Sequence, residues 1–212
     1  MKNILLADDH LIIRTGLKKV IEKYIAHCLI DEASDGNTAF LKIKEKEYHL
    51  IILDVNMPGT DSFDLVRDII AFKPEAQILM FSMNAEEIYA KRYLQLGVKG
   101  YLSKASSEGE IKHALDNVIS GKRYLSPSLT QSLMEDVVDE KSKNPFDDLS
   151  AKEFQIIQHL IRGESLSEIS KSFKLHTSTV ATHKTRIFGK LKCKNIIEIN
   201  QLARNYNIIP AS

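Results

Sequence analysis

The chain has 212 residues, a net charge of +1, 43% hydrophobic residues and two cysteines. This length accommodates one large domain or two small ones, and the apolar content is sufficient for packed cores. No apolar run approaches the roughly 18 residues that a membrane span needs, and Asp8 interrupts the N-terminal apolar stretch too early for a signal peptide. We therefore expect a cytoplasmic protein with no membrane partner, in which Cys28 and Cys193 are reduced thiols.

The charge is distributed unevenly along the chain. Residues 1–149 carry 19 Lys or Arg and 24 Asp or Glu, whereas residues 150–212 carry 10 and 4. The resulting net charges of −5 and +6 predict two domains with different partners. A compact basic segment most often binds a polyanion such as nucleic acid, although many basic surfaces bind nothing.

The first 120 residues alternate short apolar runs with amphipathic stretches. The apolar runs predict strands over Ile4–Ala7, Cys28–Ala33, Leu50–Leu53, Ile78–Phe81 and Gly100–Leu102. The amphipathic stretches predict helices near residues 12–25, 37–47, 61–72, 86–95 and 107–120. This alternation predicts an α/β fold with a doubly wound, five-stranded parallel sheet, in which the carboxyl ends of the strands share one edge.

The rest of the chain predicts a connection and a second domain. Residues 122–146 are a linker with a possible helix over 128–138 and a polar, mobile stretch over 139–145. After it, no strand pattern is visible, and helices are predicted near residues 151–162, 166–173, 178–191 and 196–206. We therefore predict a first domain over 1–121 and a small all-α domain of four helices over 147–212.

Three carboxylates are expected to meet at the sheet edge. Asp8 and Asp9 follow the first strand, and Asp54 follows the third, whose end is a near neighbour in a doubly wound sheet. Such a cluster suits a hard divalent cation, most simply Mg²⁺ with oxygen ligands, which would offset the repulsion between the carboxylates. For Asp8 and Asp9 alone, a solvated turn with a helix cap is an equal alternative.

Two further polar residues follow later strands. Ser82 comes after the fourth strand and Lys104 after the fifth, so both are expected near the carboxylates. A hydroxyl and an ammonium group beside a carboxylate–metal centre suit a phosphoryl group, whose charge must be spread over fixed positive groups. A carboxylate such as Asp54 can then act as the nucleophile and carry the group as an acyl phosphate.

The acidic pair, the sequence DVNMPG (residues 54–59), Ser82 and YLSK (residues 101–104) together resemble the receiver domain of bacterial two-component response regulators, over about residues 1–120. The resemblance implies that Asp54 accepts a phosphoryl group from a sensor histidine kinase. It further implies a role for each remaining position: Asp9, Asp54 and the backbone carbonyl of Asn56 as Mg²⁺ ligands, Asp8 acting mainly through water, Lys104 and Ser82 as partners of the phosphoryl oxygens, and Tyr101 as the switch aromatic. One departure is Ala105, where family members often have proline.

The second domain shows a helix-turn-helix pattern over residues 150–192. In its third predicted helix, TSTVATHKTRIFGKL (residues 177–191), Val180, Ile187 and Leu191 are spaced as a buried stripe. The small, hydroxyl and cationic side chains between them suit a helix in the major groove of DNA. The first residues, Thr177, Ser178 and Thr179, are also placed to meet a phosphate through backbone N–H groups.

The sequences LSAKEFQIIQHLIRG and STVATHKTRIFGKL resemble the LuxR-type DNA-binding domain, over about residues 147–207. Carried over by position, Ala181, Thr182 and Thr185 face base edges, whereas Lys184, Arg186 and Lys190 serve the DNA backbone. Two departures concern Ala181, where a basic residue is common, and His176, where a serine cap is common. We expect Thr177 to cap the helix instead.

Together these features predict a phosphorylation-controlled transcription factor that binds double-stranded DNA and forms a homodimer when phosphorylated. Phosphorylation of Asp54 is expected to draw Ser82 and Tyr101 inward. Apart from its own phosphorylation and slow autodephosphorylation, we expect no enzymatic activity. One alternative, a haloacid-dehalogenase-type phosphatase, needs a second acid two residues after the nucleophile, where this chain has Asn56. Another is a DNA-binding protein whose receiver no longer responds to phosphate, which the complete acidic set disfavours.

Overall fold

The structure is a computed structural model that describes residues 1–84, 86–138, 144–173, 175–206 and 208–209. In this part of the chain, the strands are β1 (Lys2–Ala7), β2 (Cys28–Ala33), β3 (Leu50–Leu53), β4 (Ile78–Ser82) and β5 (Gly100–Ser103). The helices that follow them are α1 (Leu11–Tyr24), α2 (Gly36–Glu45), α3 (Ser62–Phe72), α4 (Glu86–Leu96) and α5 (Glu108–Ile119). The strands pair in parallel in the order β2-β1-β3-β4-β5, which confirms the predicted doubly wound sheet.

The alternation of side chains along the strands assigns the two faces of the sheet. One face carries Ile4, Leu6, Leu50, Ile52, Leu79, Phe81 and Leu102, which join Leu17 and Ile21 of α1 and Leu115 and Val118 of α5 in one buried cluster. Because neighbouring strand residues point to opposite faces, Tyr101 and Ser82 belong to the other face. There the Tyr101 ring lies 6.1 Å from the ring of Tyr93 on α4.

The segment after α5 packs on the sheet edge more closely than its predicted role as a linker implies. Tyr124 is buried, and its backbone N–H donates to the carbonyl of Lys99 at 2.8 Å. The hydroxyl of Ser126 then donates to Glu86 Oε2 at 2.6 Å, just before α6 (Pro127–Val138). The possible helix predicted near 128–138 is therefore present, but ordered structure begins before it because a buried tyrosine anchors the chain.

The second part of the described chain is helical. A short 3-10 helix (Pro145–Asp148) precedes α7 (Ala151–Ile161), α8 (Leu166–Ser172), α9 (Thr177–Leu191) and α10 (Ile196–Asn205). Capping boxes at Ser150 and Ser165 open α7 and α8. Phe146, the last residue of the predicted linker, lies in this 3-10 helix and is fully buried, so it packs within the second unit. Of the predicted mobile stretch, residues 139–143 lie outside the described residues.

The chain divides into two compact units, Met1–Met134 and Glu135–Ser212. The finer division at residues 121 and 147 stays a prediction. Within the described residues, no helix combines the length and the apolar composition that crossing a membrane requires.

Candidate functional sites

The predicted carboxylates meet at the carboxyl edge of the sheet. Asp8 follows β1 and Asp54 follows β3, and the adjacent pairing of Ala7 with Leu53 brings the two strand ends side by side. One ligand atom from each of Asp8, Asp9, His10 and Asp54 lies within 4.8 Å of the others. Asp8 and Asp54 are almost fully buried, whereas Asp9 keeps a quarter of its side chain exposed. This cluster is too acidic to be stable without positive charge against it.

Lys104 supplies that positive charge within the described structure. Its Nζ lies 2.8 Å from Asp54 Oδ2 and 2.6 Å from Asp8 Oδ2, and its side chain is 5% exposed. Burial by itself lowers the pKa of Lys104, but the ion pairs with Asp54 and Asp8 outweigh burial and hold this pKa above its ordinary value. The ammonium therefore stays charged at neutral pH, as a fixed cation between the two buried carboxylates.

The remaining carboxylate oxygens fit a hard cation. Asp54 Oδ1 and Asp9 Oδ1 are buried and accept no hydrogen bond from any described residue. Oxygens of this kind are the ligands that Mg²⁺ prefers, and leaving them unpaired is costly. His10 also lies at the cluster, with Nδ1 2.7 Å from Asp9 Oδ1, a contact that the sequence analysis does not predict.

Ser82 and Tyr101 are both fully buried and share one partner, Asn84. The backbone N–H of Asn84 donates to Ser82 Oγ at 3.1 Å, and the Tyr101 hydroxyl donates to the Asn84 carbonyl at 3.0 Å. The side-chain amide of Asn84 also faces that of Asn56, with the Asn56 Nδ2 to Asn84 Oδ1 distance at 3.3 Å. Asn84 thus links the loop after the candidate nucleophile with the predicted switch residues. Asn84 is not among the predicted site residues, although its position two residues after Ser82 is a usable indication.

The third helix of the second unit presents a buried and an exposed side. Val180, Ile187 and Leu191 of α9 are buried, which confirms the predicted stripe. The exposed residues include Ser178, Thr182, Thr185 and Arg186, spaced about one helical turn apart. Ala181, Lys184 and Thr179 are half-buried along the margins of this surface.

Comparison with known families decides what these sites belong to. Residues 4–116 match the response regulator receiver domain, and residues 147–203 match the luxR family of bacterial regulatory proteins. This chain is a LuxR-type response regulator. Membership confirms the predicted class, a phosphorylation-regulated transcription factor.

Individual response regulators match over the full length. UvrY of Escherichia coli strain K12 is 30% identical over 212 residues, which cover 100% of this chain and 97% of UvrY. GacA of Pseudomonas protegens is also 30% identical, and the match covers 100% of both chains. Among solved structures, RcsB from Salmonella enterica serovar Typhimurium, bound to promoter rprA with BeF₃⁻, has a TM-score of 0.70. That match covers 95% of this chain and 98% of RcsB at 23% identity, so it shows the fold alone.

The predicted switch aromatic, Tyr101, already points inward. An inward movement of Tyr101 is predicted to accompany phosphorylation, yet its ring is fully buried in the unphosphorylated chain. It packs beside Tyr93, which stacks on Phe63 with a centroid distance of 4.2 Å and shares a 2.7 Å hydrogen bond with Ser62. Burial raises the pKa of the Tyr101 hydroxyl far above its ordinary value, so the hydroxyl remains a donor.

Two residues of α9 make contacts within the second unit that their predicted roles do not include. Lys190 Nζ lies 2.6 Å from Glu153 Oε2 and donates to the Asp148 carbonyl at 3.0 Å, which favours a structural role over a DNA phosphate. Thr177 does not cap the helix, because its hydroxyl donates to Ser170 Oγ at 3.3 Å. The N-cap position is His176, and its side chain makes no capping hydrogen bond with the described residues. The first N–H groups of α9 are therefore not capped by this side chain.

Proposed function

We propose that Asp54 is the phosphoacceptor of this response regulator and that a sensor histidine kinase is the donor. The observation that carries the proposal is the asymmetric environment of the Asp54 carboxylate. Lys104 holds Oδ2 at 2.8 Å, while Oδ1 is buried and accepts no hydrogen bond from the described residues. One oxygen is thus fixed by a cation and the other remains available as a nucleophile.

In the proposed reaction, the available oxygen of Asp54 attacks the phosphorus of a phosphohistidine. A P–O bond forms, the P–N bond breaks, and the leaving imidazole takes a proton. Lys104 is positioned to pair with a phosphoryl oxygen. The Ser82 hydroxyl accepts the backbone N–H of Asn84 and also contacts the Tyr101 hydroxyl, and it would turn to donate its proton to a second phosphoryl oxygen. Asp9, Asp54 and the carbonyl of Asn56 would hold Mg²⁺, with Asp8 acting through water. The ion supplies neutralising charge for the incoming phosphoryl group.

The same pocket explains why turnover of phosphate esters is not expected. A phosphatase that uses an aspartyl nucleophile needs a second acid to move protons, and the residue two positions after Asp54 is Asn56. Its amide instead pairs with the amide of Asn84. We therefore propose phosphorylation of the protein itself, followed by slow autodephosphorylation, as the chemistry of this site.

We propose that the output is double-stranded DNA binding by α9. The hydroxyls of Thr182 and Thr185 donate to the carbonyls of Ser178 and Ala181 at 3.0 and 3.1 Å. Because these hydroxyl protons are used within the helix, Thr182 and Thr185 can offer a base edge their hydroxyl oxygen as an acceptor and their methyl group as an apolar contact. Arg186 and Lys184 would serve the DNA backbone. The first N–H groups of α9, those of Thr177 and Ser178, would bind a phosphate, whereas the N–H of Thr179 donates to the carbonyl of His176 at 2.9 Å.

The domain roles follow from these sites: a receiver over 1–121, a connection over 122–146 and a DNA-binding domain over 147–212. We propose that phosphorylation favours a homodimer that binds two half-sites, in the cytoplasm and without a membrane partner. RcsB is described as binding DNA as dimers, and RcsB bound to a promoter was obtained with the phosphomimetic BeF₃⁻. These structures support the proposed coupling of phosphorylation to DNA binding.

Intact mass spectrometry after incubation with acetyl phosphate and Mg²⁺ tests the proposal. We expect one added phosphoryl group on the wild type and none on Asp54→Asn. In the same experiment, Asp9→Asn should lose the Mg²⁺-dependent labelling. If Asp54→Asn is labelled as fully as the wild type, Asp54 is not the acceptor. If phosphodonor-stimulated DNA binding survives in Asp54→Asn, the regulator works without this phosphate.

A further inference from the structure

A cavity opens at the amino edge of the sheet, at the opposite end of the strands from Asp54. It has a volume of about 260 Å³ and is lined by the C-terminal ends of α2 and α3, the segments that follow them, and β3. Its apolar lining includes Ile43 of α2, Ile51 of β3 and Ala76, which precedes β4, and each of these is at most 8% exposed. A cavity of this size and character suits a small ligand with an apolar body.

Two of the lining side chains are held in place by their neighbours. The Tyr48 hydroxyl donates to Asp31 Oδ2 at 2.7 Å, which fixes the ring that forms one wall of the cavity. Lys73 is the C-cap residue of α3, and its half-buried side chain donates from Nζ to the carbonyl of Lys46 at 3.1 Å. A ligand would therefore meet an aromatic wall and an ammonium group that are already in position, which lowers the ordering cost of binding.

The charged groups that line the cavity are one cation and two anions. Lys73 Nζ lies 2.7 Å from Glu47 Oε1, and Glu75 lines the same cavity. The Glu47 side chain is 83% exposed, so it can exchange this pairing for one with a ligand at little cost. One ammonium group and two carboxylates beside apolar walls complement a molecule that carries a carboxylate, an ammonium group and an apolar chain.

We propose that this cavity binds a small apolar α-amino acid of the leucine class. The carboxylate of the ligand pairs with Lys73, its ammonium group pairs with Glu47 and Glu75, and its side chain lies against Ile43 and Ile51. A fatty acid would bring a third negative charge beside the two glutamates, and an alkylamine would leave the lysine without a ligand carboxylate. The charge pattern therefore selects the zwitterion over either of these molecules.

Methyl NMR of the full chain, titrated with L-leucine, tests the proposal. We expect saturable shifts of the Ile43 and Ile51 methyl resonances. Two further probes each lack one charge, since isocaproate has no ammonium group and isoamylamine has no carboxylate. Each of these should bind about tenfold more weakly than L-leucine, because the charge-assisted hydrogen bonds of one group are lost.

Three variants examine the roles of the protein groups. Lys73→Gln should weaken L-leucine binding about tenfold and leave isoamylamine binding unchanged, because only L-leucine has a carboxylate for the lysine. Ala76→Leu fills the cavity and should abolish the methyl shifts. Lys44→Gln is the matched control, since Lys44 also belongs to the first unit but lies over the Phe40 ring, 5.1 Å from its centroid. This control should bind L-leucine like the wild type.

The opposing interpretation is that Lys73 and Glu47 only brace the protein surface. In that case L-leucine causes no methyl shifts, or Lys73→Gln binds it as tightly as the wild type, and the inference fails. Equal affinity of the wild type for all three probes would show an apolar cavity without recognition of charge, which also rejects an amino-acid site. If Ala76→Leu does not fold, the comparison of the three probes on the wild type still decides. Labelling of Asp54 by acetyl phosphate is expected in Lys73→Gln whatever its affinity for L-leucine, because the cavity lies at the other end of the strands.

Discussion

Lys190 and Glu153 form an ion pair that joins the last turn of α9 to the first turn of α7, with 2.6 Å between Nζ and Oε2. The same Oε2 accepts the backbone N–H of Ser150 at 2.8 Å in the capping box. One carboxylate oxygen thus stabilises a helix start and neutralises a lysine of the DNA-binding helix. Lys190 cannot keep this pairing and also neutralise a DNA phosphate fully, so we expect its role to be structural.

The first prediction distinguishes a DNA phosphate contact of Lys184 from a structural role of Lys190. We expect Lys184→Gln to lower the slope of log affinity against log salt concentration by about one, because one phosphate contact is lost. Lys190→Gln should leave that slope unchanged and instead lower the thermal stability of the second unit. Fluorescence anisotropy over a salt series, with thermal unfolding of each variant, makes the measurement. A lower slope for Lys190→Gln would restore the backbone role that its sequence position indicates.

The second prediction concerns the stability of the second unit at acidic pH. Burial alone raises the pKa of Glu153, but the hydrogen bonds from Lys190 and Ser150 outweigh it and hold the pKa below 4.5. The carboxylate therefore stabilises the fold above pH 4.5, and this stabilisation is lost as the pH falls through the lowered pKa. Glu153→Gln keeps a capping side chain but loses the charge. We expect this substitution to lower the unfolding free energy of the second unit by about 1 kcal/mol at neutral pH and not at all in acid.

Urea unfolding, followed through the NMR resonances of α9 at neutral pH and at about pH 3, measures how the cost of Glu153→Gln depends on pH. Glu168→Gln is the control, because Glu168 closes the equivalent capping box on α8 without an ion pair as close as that of Lys190. Glu168→Gln should show a smaller pH-dependent loss of unfolding free energy than Glu153→Gln. An equal loss for both variants would mean that capping, and not the lysine, gives the effect.

The sequence predicts the backbone of the sites well and their side-chain partners poorly. Asp8, Asp54 and Lys104 each directly follow a strand, and a parallel sheet gathers such residues at one edge whatever the details of packing. The α9 stripe follows in the same way from helical periodicity. The partnership of Lys190 with Glu153 joins residues 37 positions apart. Periodicity assigns a residue to a face but does not name the residue it meets there.

Because sequence patterns do not specify contacts between distant elements, they predict neither the role of Asn84 nor the inward position of Tyr101. A pattern of strands places Tyr101 on the α4 side of the sheet, but the rotamer depends on the stacked rings of Tyr93 and Phe63 and on a backbone carbonyl. The anchoring of Tyr124 to the edge of β5 is equally a contact between distant elements. Such contacts decide the ends of domains and the state of a switch, which composition and spacing do not encode.

The third prediction concerns the Tyr101 hydroxyl. Tyr101→Phe keeps the ring but leaves the Asn84 carbonyl without its donor, and we expect the unfolding free energy of the first unit to fall by about 1 kcal/mol. Asp54 should still be labelled by acetyl phosphate, but the stimulation of DNA binding by the phosphodonor should decrease because the link from Tyr101 to the Ser82 loop is weakened. Tyr93→Phe is the control: it removes the hydrogen bond to Ser62, which lies outside that link. Full stimulation in Tyr101→Phe would show that the hydroxyl has no part in the switch.

The fourth prediction concerns Lys104 as the fixed cation of the pocket. Lys104→Gln leaves the buried carboxylates of Asp8 and Asp54 without their counter-charge, and breaking such a pair costs about 3–5 kcal/mol. The proposed Mg²⁺ ion would bind only the folded pocket, so it should restore much of this loss and raise the melting temperature of the variant more than that of the wild type. Thermal unfolding with and without Mg²⁺ gives the comparison, and Lys18→Gln, which loses only the partly exposed pair with Glu32, is the control. A Mg²⁺-induced shift in Lys104→Gln no larger than in the wild type would mean that the ammonium and the ion do not neutralise the same carboxylates.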